Sequence, residues 1–245
     1  MSFTQLATPA VASERRVPPS TPWDVRVSSW DEICSSPAFE RLRDRVMDRA
    51  AIEGRDVVVD LGAGTGLLTL PAASRAREVI AVDYSSPMLG RLAQRARELG
   101  RANVRCVIAD LRELPLPDDS ADVVVSCYAF HHLADADKEL ALSEARRVLR
   151  PGGRLVVCDM MFALSLRPHD RRILISKVRA IARKGPAGIV RLVRNAGRVV
   201  TRRWEHPAPV ERWRTLLEAR RFVDISVAMV EAEAGIAVAR RPEQA

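Results

Sequence analysis

The chain has 245 residues, of which 47% are hydrophobic and 29% charged, and its formal net charge is +8. A chain of this length allows a substantial core, while no apolar run reaches the roughly 18 residues of a membrane span. The N-terminus lacks a signal-peptide pattern, and the four cysteines have no metal-ligand spacing. We therefore expect no metal site and a reduced, cytoplasmic setting.

Two N-terminal segments precede the first strong strand pattern. Residues 1–22 are rich in proline and small polar residues, which is typical of a flexible tail. Residues 23–54 contain a predicted helix from about Ser36 to Ala51, with Pro37 in its first turn. We expect residues 23–54 to form a helical cap.

The middle of the chain predicts an α/β fold. Residues 55–161 alternate apolar strands with helical stretches, which favours a doubly wound, mostly parallel sheet, because parallel strands need helical crossovers. Residues 162–215 are predicted to form a basic helical insert or lid. Residues 216–245 carry two more strand patterns, which would complete the sheet.

A glycine-rich turn follows the first strand of this core. The strand contains Asp60, and Gly62, Gly64 and Gly66 then alternate with other residues. The dinucleotide fingerprint would need a further glycine where this chain has Leu67. A carboxylate beside the loop would repel a pyrophosphate but suits a cofactor that carries an ammonium group, such as S-adenosylmethionine.

Acidic and polar residues also end the next three predicted strands. Asp83 ends the second strand, Asp110 the third, and Ser126 lies near the end of the fourth. Either acid could cap the helix that follows it. Because both close parallel strands, however, we expect them to contact a ligand at the carboxyl edge of the sheet.

In sequence and spacing, residues 56–160 resemble the class I (Rossmann-like) S-adenosylmethionine-dependent methyltransferases. The similarity is strongest to the small-molecule enzymes of the ubiquinone and menaquinone biosynthesis type. It implies a seven-stranded sheet whose last strand is antiparallel, with S-adenosylmethionine as the cofactor. It also implies that Asp60, Gly62, Gly64 and Gly66 wrap the methionine end and the ribose.

The resemblance assigns the remaining cofactor contacts residue by residue. Asp83 would bind both ribose hydroxyls, and Tyr84 and Met88 would enclose the adenine, although ordinary packing explains these two almost as well. Asp110 and the amide of Leu111 would bind the edge of the adenine. Ser126 would lie beside the reacting methyl group.

Two adjacent histidines follow the fourth strand and are candidates for a general base. An imidazole titrates near neutral pH and can accept a proton from an oxygen or nitrogen nucleophile. We assign that role to His131 rather than His132, because His131 is nearer the strand end. A histidine that only shapes the site is the stronger competing interpretation.

The predicted insert is strongly basic. No Asp or Glu occurs between Arg171 and Arg203. The segment is interpreted as a helical cap with a solvated basic face, or as a contact with an anionic membrane surface. Nucleic acid ranks below both, because only Trp204 offers a nearby aromatic ring for base stacking.

The sequence therefore predicts a methyltransferase that acts on the O, N or C atom of a small apolar or aromatic acceptor. The alternatives are an RNA methyltransferase and a non-catalytic S-adenosylmethionine-binding module. Cytoplasmic location, with peripheral membrane contact as an option, is expected, and the oligomeric state is left open.

Overall fold

A computed structural model describes residues 21–163, 175, 206–231 and 233–243. Its helices, numbered in chain order, are α1 Val27–Cys34, α2 Pro37–Ala50, α3 Thr69–Ala73, α4 Ser86–Glu98, α5 Asp135–Val148 and α6 Val210–Ala219. Its strands are β1 Val57–Leu61, β2 Glu78–Asp83, β3 Val104–Ile108, β4 Ala121–Cys127, β5 Leu149–Met160, β6 Val223–Glu231 and β7 Ala234–Arg240. A short 3-10 turn, Phe130–His132, follows β4.

These strands form one seven-stranded sheet in the order β3-β2-β1-β4-β5-β7-β6. Neighbouring strands from β3 to β5 are parallel, and β7 is antiparallel to both β5 and β6. The predicted doubly wound sheet with an antiparallel last strand is confirmed. The strand order reverses between β1 and β4, which is where open α/β sheets bind ligands at their carboxyl edge.

Apolar side chains cover both faces of the sheet. One core cluster joins β1 and β4 to α5 and α6, with Trp213 of α6 packed edge-to-face against Phe130 at 5.5 Å. A second cluster packs α2 and α3 against the opposite face, and a third involves α4. Between β3 and β4 the chain crosses as a loop, and Leu114 and Leu116 supply the apolar contacts there.

The N-terminal helix prediction is confirmed to within one residue at each end. Ser36 precedes α2, Pro37 occupies its first turn and Ala51 ends it in the left-handed region. The sequence pattern missed α1, the shorter helix before it. Arg154 of β5 donates hydrogen bonds to the carbonyls of Ala50 and Ala51, which ties the end of α2 to the sheet.

The boundary drawn at residue 215 is wrong, because it cuts α6. Trp213, Leu216 and Leu217 lie on the buried side of this helix and belong to the central core. α6 is therefore part of the fold and not part of an insert. Residues 1–20 of the tail and nearly all of the basic segment lie outside the described residues. Among the residues that are described, no helix has both the length and the apolar character needed to cross a membrane.

Candidate cofactor and acceptor site

A cavity of about 380 Å³ opens at the carboxyl edge of the sheet, beside β1, β2 and β4. Seven of the predicted cofactor residues line it: Gly62, Gly64, Asp83, Tyr84, Met88, Asp110 and Leu111. They come from three separate strand ends, which the parallel topology brings to one place. The remaining predicted site residues are not among the lining residues: Asp60, Gly66, Ser126 and His131.

The glycine loop has almost no room for side chains. At Gly62, φ is +73° and a Cβ atom would lie 2.3 Å from the Cβ of Ala129. At Gly64, φ is +52° and a Cβ atom would lie 2.8 Å from Nε1 of Trp30. The loop backbone can therefore approach a ligand closely only if both positions are glycine.

Asp83 holds this loop against β2. Its carboxylate accepts hydrogen bonds from the amides of Gly64 and Ser85, each at 2.8 Å. Burial raises the pKa of Asp83, and these backbone hydrogen bonds only partly oppose that effect. A buried carboxylate with remaining acceptor capacity at the cavity wall is suited to bind hydroxyl groups, which gain full strength in such surroundings.

Asp60 lies beneath the loop and does not line the cavity. Its carboxylate accepts a hydrogen bond from the hydroxyl of Thr69 at 2.6 Å, and only 1% of its surface is exposed. Burial, with repulsion from Asp83, raises the pKa of Asp60 to about 7. Its contact is with the start of α3, so any influence on a bound ammonium group would act through space.

Gly66 and Ser126 also lie away from the cavity lining. A Cβ atom at Gly66 would lie 2.5 Å from a methyl carbon of Leu92, so this glycine allows α4 to pack closely. Ser126 is fully buried, and its hydroxyl donates to the carbonyl of Leu61 at 2.7 Å. Both residues shape the ends of β1 and β4, whereas their predicted direct contact with the cofactor stays a prediction.

Asp110 is held by a neighbouring arginine. Arg112 donates to both carboxylate oxygens of Asp110, at 2.9 and 2.6 Å, and to Asp137 at 3.0 Å. Burial raises the pKa of Asp110, but the hydrogen bonds from Arg112 outweigh it and the pKa falls below its usual value. Asp110 is therefore ionised and lines the cavity, and its predicted contact with the adenine stays a prediction.

An N-terminal strap, residues 23–34, closes one side of the cavity. Trp23 and Trp30 of this strap line the cavity. Asp31 binds Arg91 at 2.9 Å and Arg95 at 3.5 Å, both on α4. These contacts between distant parts of the chain left no periodic signal in the sequence, so the strap's aromatic residues escaped prediction.

Aromatic rings form a continuous wall at this side. Trp23 lies 4.5 Å from His132, and Phe39 lies 4.8 Å from Tyr128 between ring centroids. Tyr128, directly after β4, has φ of +56°, which is unusual for a bulky residue. Such strain is found where the surrounding structure holds a side chain for function, and Tyr128 lines the cavity.

The structure places His132, and not His131, on the cavity wall. His131 is 5% exposed, and its Nδ1 lies 2.6 Å from a carboxylate oxygen of Asp159. Its ring lies 3.8 Å from that of His132 and 5.6 Å from that of Tyr128. The assignment of His131 as the general base stays a prediction, while the 3-10 turn places the adjacent His132 at the cavity.

Burial, together with repulsion from His131, lowers the pKa of His132 to about 3. His132 is consequently neutral at physiological pH and can accept or donate one hydrogen bond there.

The lining fits S-adenosylmethionine better than a dinucleotide. Asp83, Asp110 and Asp137 contribute carboxylates, and Arg112, the arginine at the wall, is already bound to two of them. A pyrophosphate would meet net negative charge in this cavity, whereas an ammonium, a sulfonium and ribose hydroxyls are all favoured by it. Tyr84, Met88 and Leu111 add the flat apolar surface that an adenine needs.

Comparison with known proteins gives the same result. Residues 58–153 match the family model of the methyltransferase domain. Over 152 residues the chain is 39% identical to a demethylmenaquinone methyltransferase of Thermus thermophilus, which covers 59% of this chain and 68% of that protein. It is 36% identical over 119 residues to an uncharacterized methyltransferase of Geobacillus kaustophilus, which covers 49% of this chain.

The chain belongs to the class I S-adenosylmethionine-dependent methyltransferases, and the predicted family, fold and cofactor are confirmed. It spans about half the length, 54%, of the Geobacillus relative. A structure of an S-adenosylmethionine-dependent methyltransferase from Aquifex aeolicus superposes with a TM-score of 0.62, covering 89% of this chain and 97% of the other at 18% identity. That similarity concerns the fold.

Gly64→Val should abolish S-adenosylmethionine binding, because the new side chain would enter the space between the loop and Trp30. The positive φ adds strain of about 1–2 kcal/mol. Gly100→Val is the matched control, since Gly100 has φ of +66° and a Cβ atom added there would have no other atom within 4 Å. Calorimetric titration should detect normal binding in the control alone, and equal binding by both variants would place the cofactor elsewhere.

Proposed function

We propose that this protein transfers the methyl group of S-adenosylmethionine to a small, neutral, aromatic acceptor. The observation that carries the proposal is the aromatic wall of the cavity, formed by Trp23, Trp30, Tyr128 and His132 beside the glycine loop. Aromatic rings offer offset-stacked and edge-to-face contacts to a flat acceptor. The name of the Thermus relative, demethylmenaquinone methyltransferase, supports an acceptor with a fused ring system.

The charges of the lining argue for a neutral acceptor. Asp110, Arg112 and Asp137 form a closed ion triad, and Asp83 accepts from the amide of Gly64 in the glycine loop. His132 in the aromatic wall is neutral. Among the described lining residues, each charged side chain near this wall is already bound to another group. A charged acceptor would lose its hydration there without gaining an ionic partner.

Bound S-adenosylmethionine supplies an activated methyl group that a nucleophile displaces in line. The protein's contribution is then mainly positioning and exclusion of water. Trp23 and Trp30 cover the cavity from the strap side, and Tyr128 is held by its neighbours Phe39 and His131. His132 would orient an acceptor hydroxyl through a hydrogen bond.

An acceptor panel tests the proposal. The purified protein is incubated with methyl-labelled S-adenosylmethionine and with naphthol-type phenols, a demethylmenaquinone analogue, aliphatic amines or RNA. We expect label on the aromatic hydroxyl compounds. Label on amines or RNA alone would contradict the acceptor class, and tight cofactor binding without transfer to any acceptor would indicate a non-catalytic binding module.

His132→Ala should lower kcat about 10- to 100-fold, because a poorly oriented acceptor reacts more slowly. His132→Asn, which keeps a hydrogen-bonding side chain, should recover part of the rate. Because the pKa of His132 is about 3, the wild-type rate should be flat between about pH 6 and pH 8 with respect to this residue. A rate that rises through pH 6.5 and loses that rise in His132→Ala would show a titrating base instead.

Contact of the basic segment 171–203 with an anionic membrane surface stays a proposal based on its charge. Membrane contact would suit an apolar, ring-bearing acceptor that resides in a lipid bilayer, because the enzyme would then meet its acceptor at the bilayer surface. RNA as an acceptor is the less favoured proposal. The RNA arm of the acceptor panel examines it directly.

A further inference from the structure

A second cleft lies at the opposite edge of the sheet from the cofactor cavity. It has a volume of about 280 Å³ and is lined by Ser143, Arg146, Ala219, Arg220 and Arg221. The C-terminal half of α5 and the C-terminal end of α6 form its walls. These helices lead into β5 and β6, which run in the same direction, so the cleft lies at the amino edge of the sheet.

The positive charge of this cleft is only partly neutralised. Arg220 forms an ion pair with Glu139, which also binds Arg212. Within the described part of the chain, neither Arg146 nor Arg221 has an acidic partner. Neighbouring guanidinium groups repel one another unless an anion is shared between them.

Two buried donors in the cleft lack acceptors. The Nε atoms of Arg146 and Arg220 are buried, and neither has a hydrogen-bond partner among the residues that the structure describes. Buried polar groups of this kind normally find a partner in the protein or in a ligand. Guanidinium groups present paired N–H donors whose geometry matches the oxygens of a phosphate.

The C-terminal end of α6 disfavours an anion in the cleft, but less strongly than the arginine side chains favour one. A helix C-terminus carries the equivalent of roughly half a negative charge, which disfavours an anion. Here the amides of Arg220 and Arg221 bond the last carbonyls of α6, which reduces this effect. The full charges of the arginine side chains outweigh it.

We propose that this arginine cleft, formed by Arg146, Arg220 and Arg221, binds a phosphate group. The group is carried either by a soluble phosphate compound or by the headgroup of an anionic lipid. The site is distinct from the cofactor cavity, since the two lie at opposite edges of the sheet. Its occupancy does not depend on the methyl-transfer reaction.

The test is a titration of the full chain with inorganic phosphate at constant ionic strength, followed by NMR of the arginine Nε–H groups. We expect saturable shifts of the Arg146 and Arg220 signals. The double variant R146Q/R221Q should bind phosphate roughly tenfold or more weakly, as expected when two charge-assisted donors are lost. Unchanged Nε–H signals across the titration would overturn the proposal.

The control variant is R49Q/R214Q, which removes the same charge from two exposed positions outside the cleft. It should bind phosphate as the wild type does, and an equal loss in both double variants would show a nonspecific charge effect and overturn the proposal. Binding of S-adenosylmethionine should be unchanged in all variants. Failure of the arginine cleft is thereby distinguished from failure of the proposed function.

Vesicles distinguish the two sources of the phosphate. Flotation with phosphatidylglycerol vesicles that R146Q/R221Q loses, and that phosphatidylcholine vesicles do not support, would assign the lipid headgroup. Saturable phosphate binding without vesicle binding at this site would assign a soluble phosphate compound.

Discussion

Asp159→Ala should destabilise the protein by about 3–5 kcal/mol, because it removes the acceptor of several buried donors, each of which costs about 1–3 kcal/mol when left unsatisfied. Asp159 is 1% exposed and lies near the end of β5. Its carboxylate accepts from the amides of Phe130, His131 and Met160, and its other contact is Nδ1 of His131 at 2.6 Å. Alanine would leave these buried donors without an acceptor.

The pH dependence of stability gives a second test of the role of Asp159. Burial raises the pKa of Asp159, but attraction to His131 and the hydrogen bonds outweigh it, so the pKa lies below its usual value. The stabilisation is therefore complete above about pH 4, the pKa of an unfolded aspartate, and is lost as the pH falls through the lower folded value.

His132 affects the stability of the protein over a different pH range, because its pKa in the folded protein, about 3, lies below the usual value of a histidine. The unfolded chain binds a proton below about pH 6.5 while the folded protein does not, so stability declines from that pH downwards. Denaturant unfolding of Asp159→Ala, Asp159→Asn and His132→Asn between pH 3 and pH 8 separates the two contributions.

Asp159→Asn should lose less stability than Asp159→Ala, because an amide oxygen still accepts from the backbone donors. His132→Asn should remove the decline that begins near pH 6.5. Equal stability of Asp159→Ala and the wild type at pH 7 would show that the carboxylate does not organise the turn after β4.

The sequence predicted the parts of the site that lie at or directly after the ends of strands. Gly62 and Gly64 follow β1 and Asp83 ends β2, and the parallel topology places all such strand ends at one edge. Their positions in the cavity could therefore be derived once the strands were recognised. Ser126 and Asp60 also lie at strand ends but are not among the lining residues, so their predicted contact with the cofactor stays a prediction.

The parts that escaped prediction depend on contacts between distant residues. Trp30 lies against the glycine loop, and the adjacent Asp31 ties this part of the chain to Arg91 and Arg95 on α4. Asp159 did leave a signal, since an acid interrupts the otherwise apolar end of β5, but its partner His131 is 28 residues away. The same interaction decides which of the two histidines lines the cavity.

Asp83→Ala should weaken S-adenosylmethionine binding by roughly 1.5–3 kcal/mol, the range for hydrogen bonds to a charged group, or about 10- to 150-fold. Two effects act in the same direction. The variant would lose the cavity carboxylate that is predicted to bind the ribose hydroxyls. It would also release the amide of Gly64, so that the glycine loop is no longer fixed to the end of β2.

A loss of stability alone would weaken binding as well, so the control must lose stability without touching the cavity. Asp122→Ala meets this condition. Asp122 accepts from the amide of Val57 at 2.8 Å and pairs with Arg150, both at the amino edge of the sheet. We expect both variants to unfold at lower denaturant concentration than the wild type, and only Asp83→Ala to lose affinity in calorimetric titrations below the unfolding transition.

Titration of a third variant, Asp83→Asn, separates the two roles of the carboxylate. If Asp83 only fixed the loop, Asp83→Asn, whose amide oxygen can still accept from Gly64, would bind the cofactor normally. If it also binds the ribose hydroxyls as a charged acceptor, Asp83→Asn should lie between the wild type and Asp83→Ala, because a neutral acceptor forms weaker hydrogen bonds. Normal binding by a folded Asp83→Ala variant would exclude Asp83 from the cofactor site. The cavity beside the glycine loop would then have to bind a different ligand.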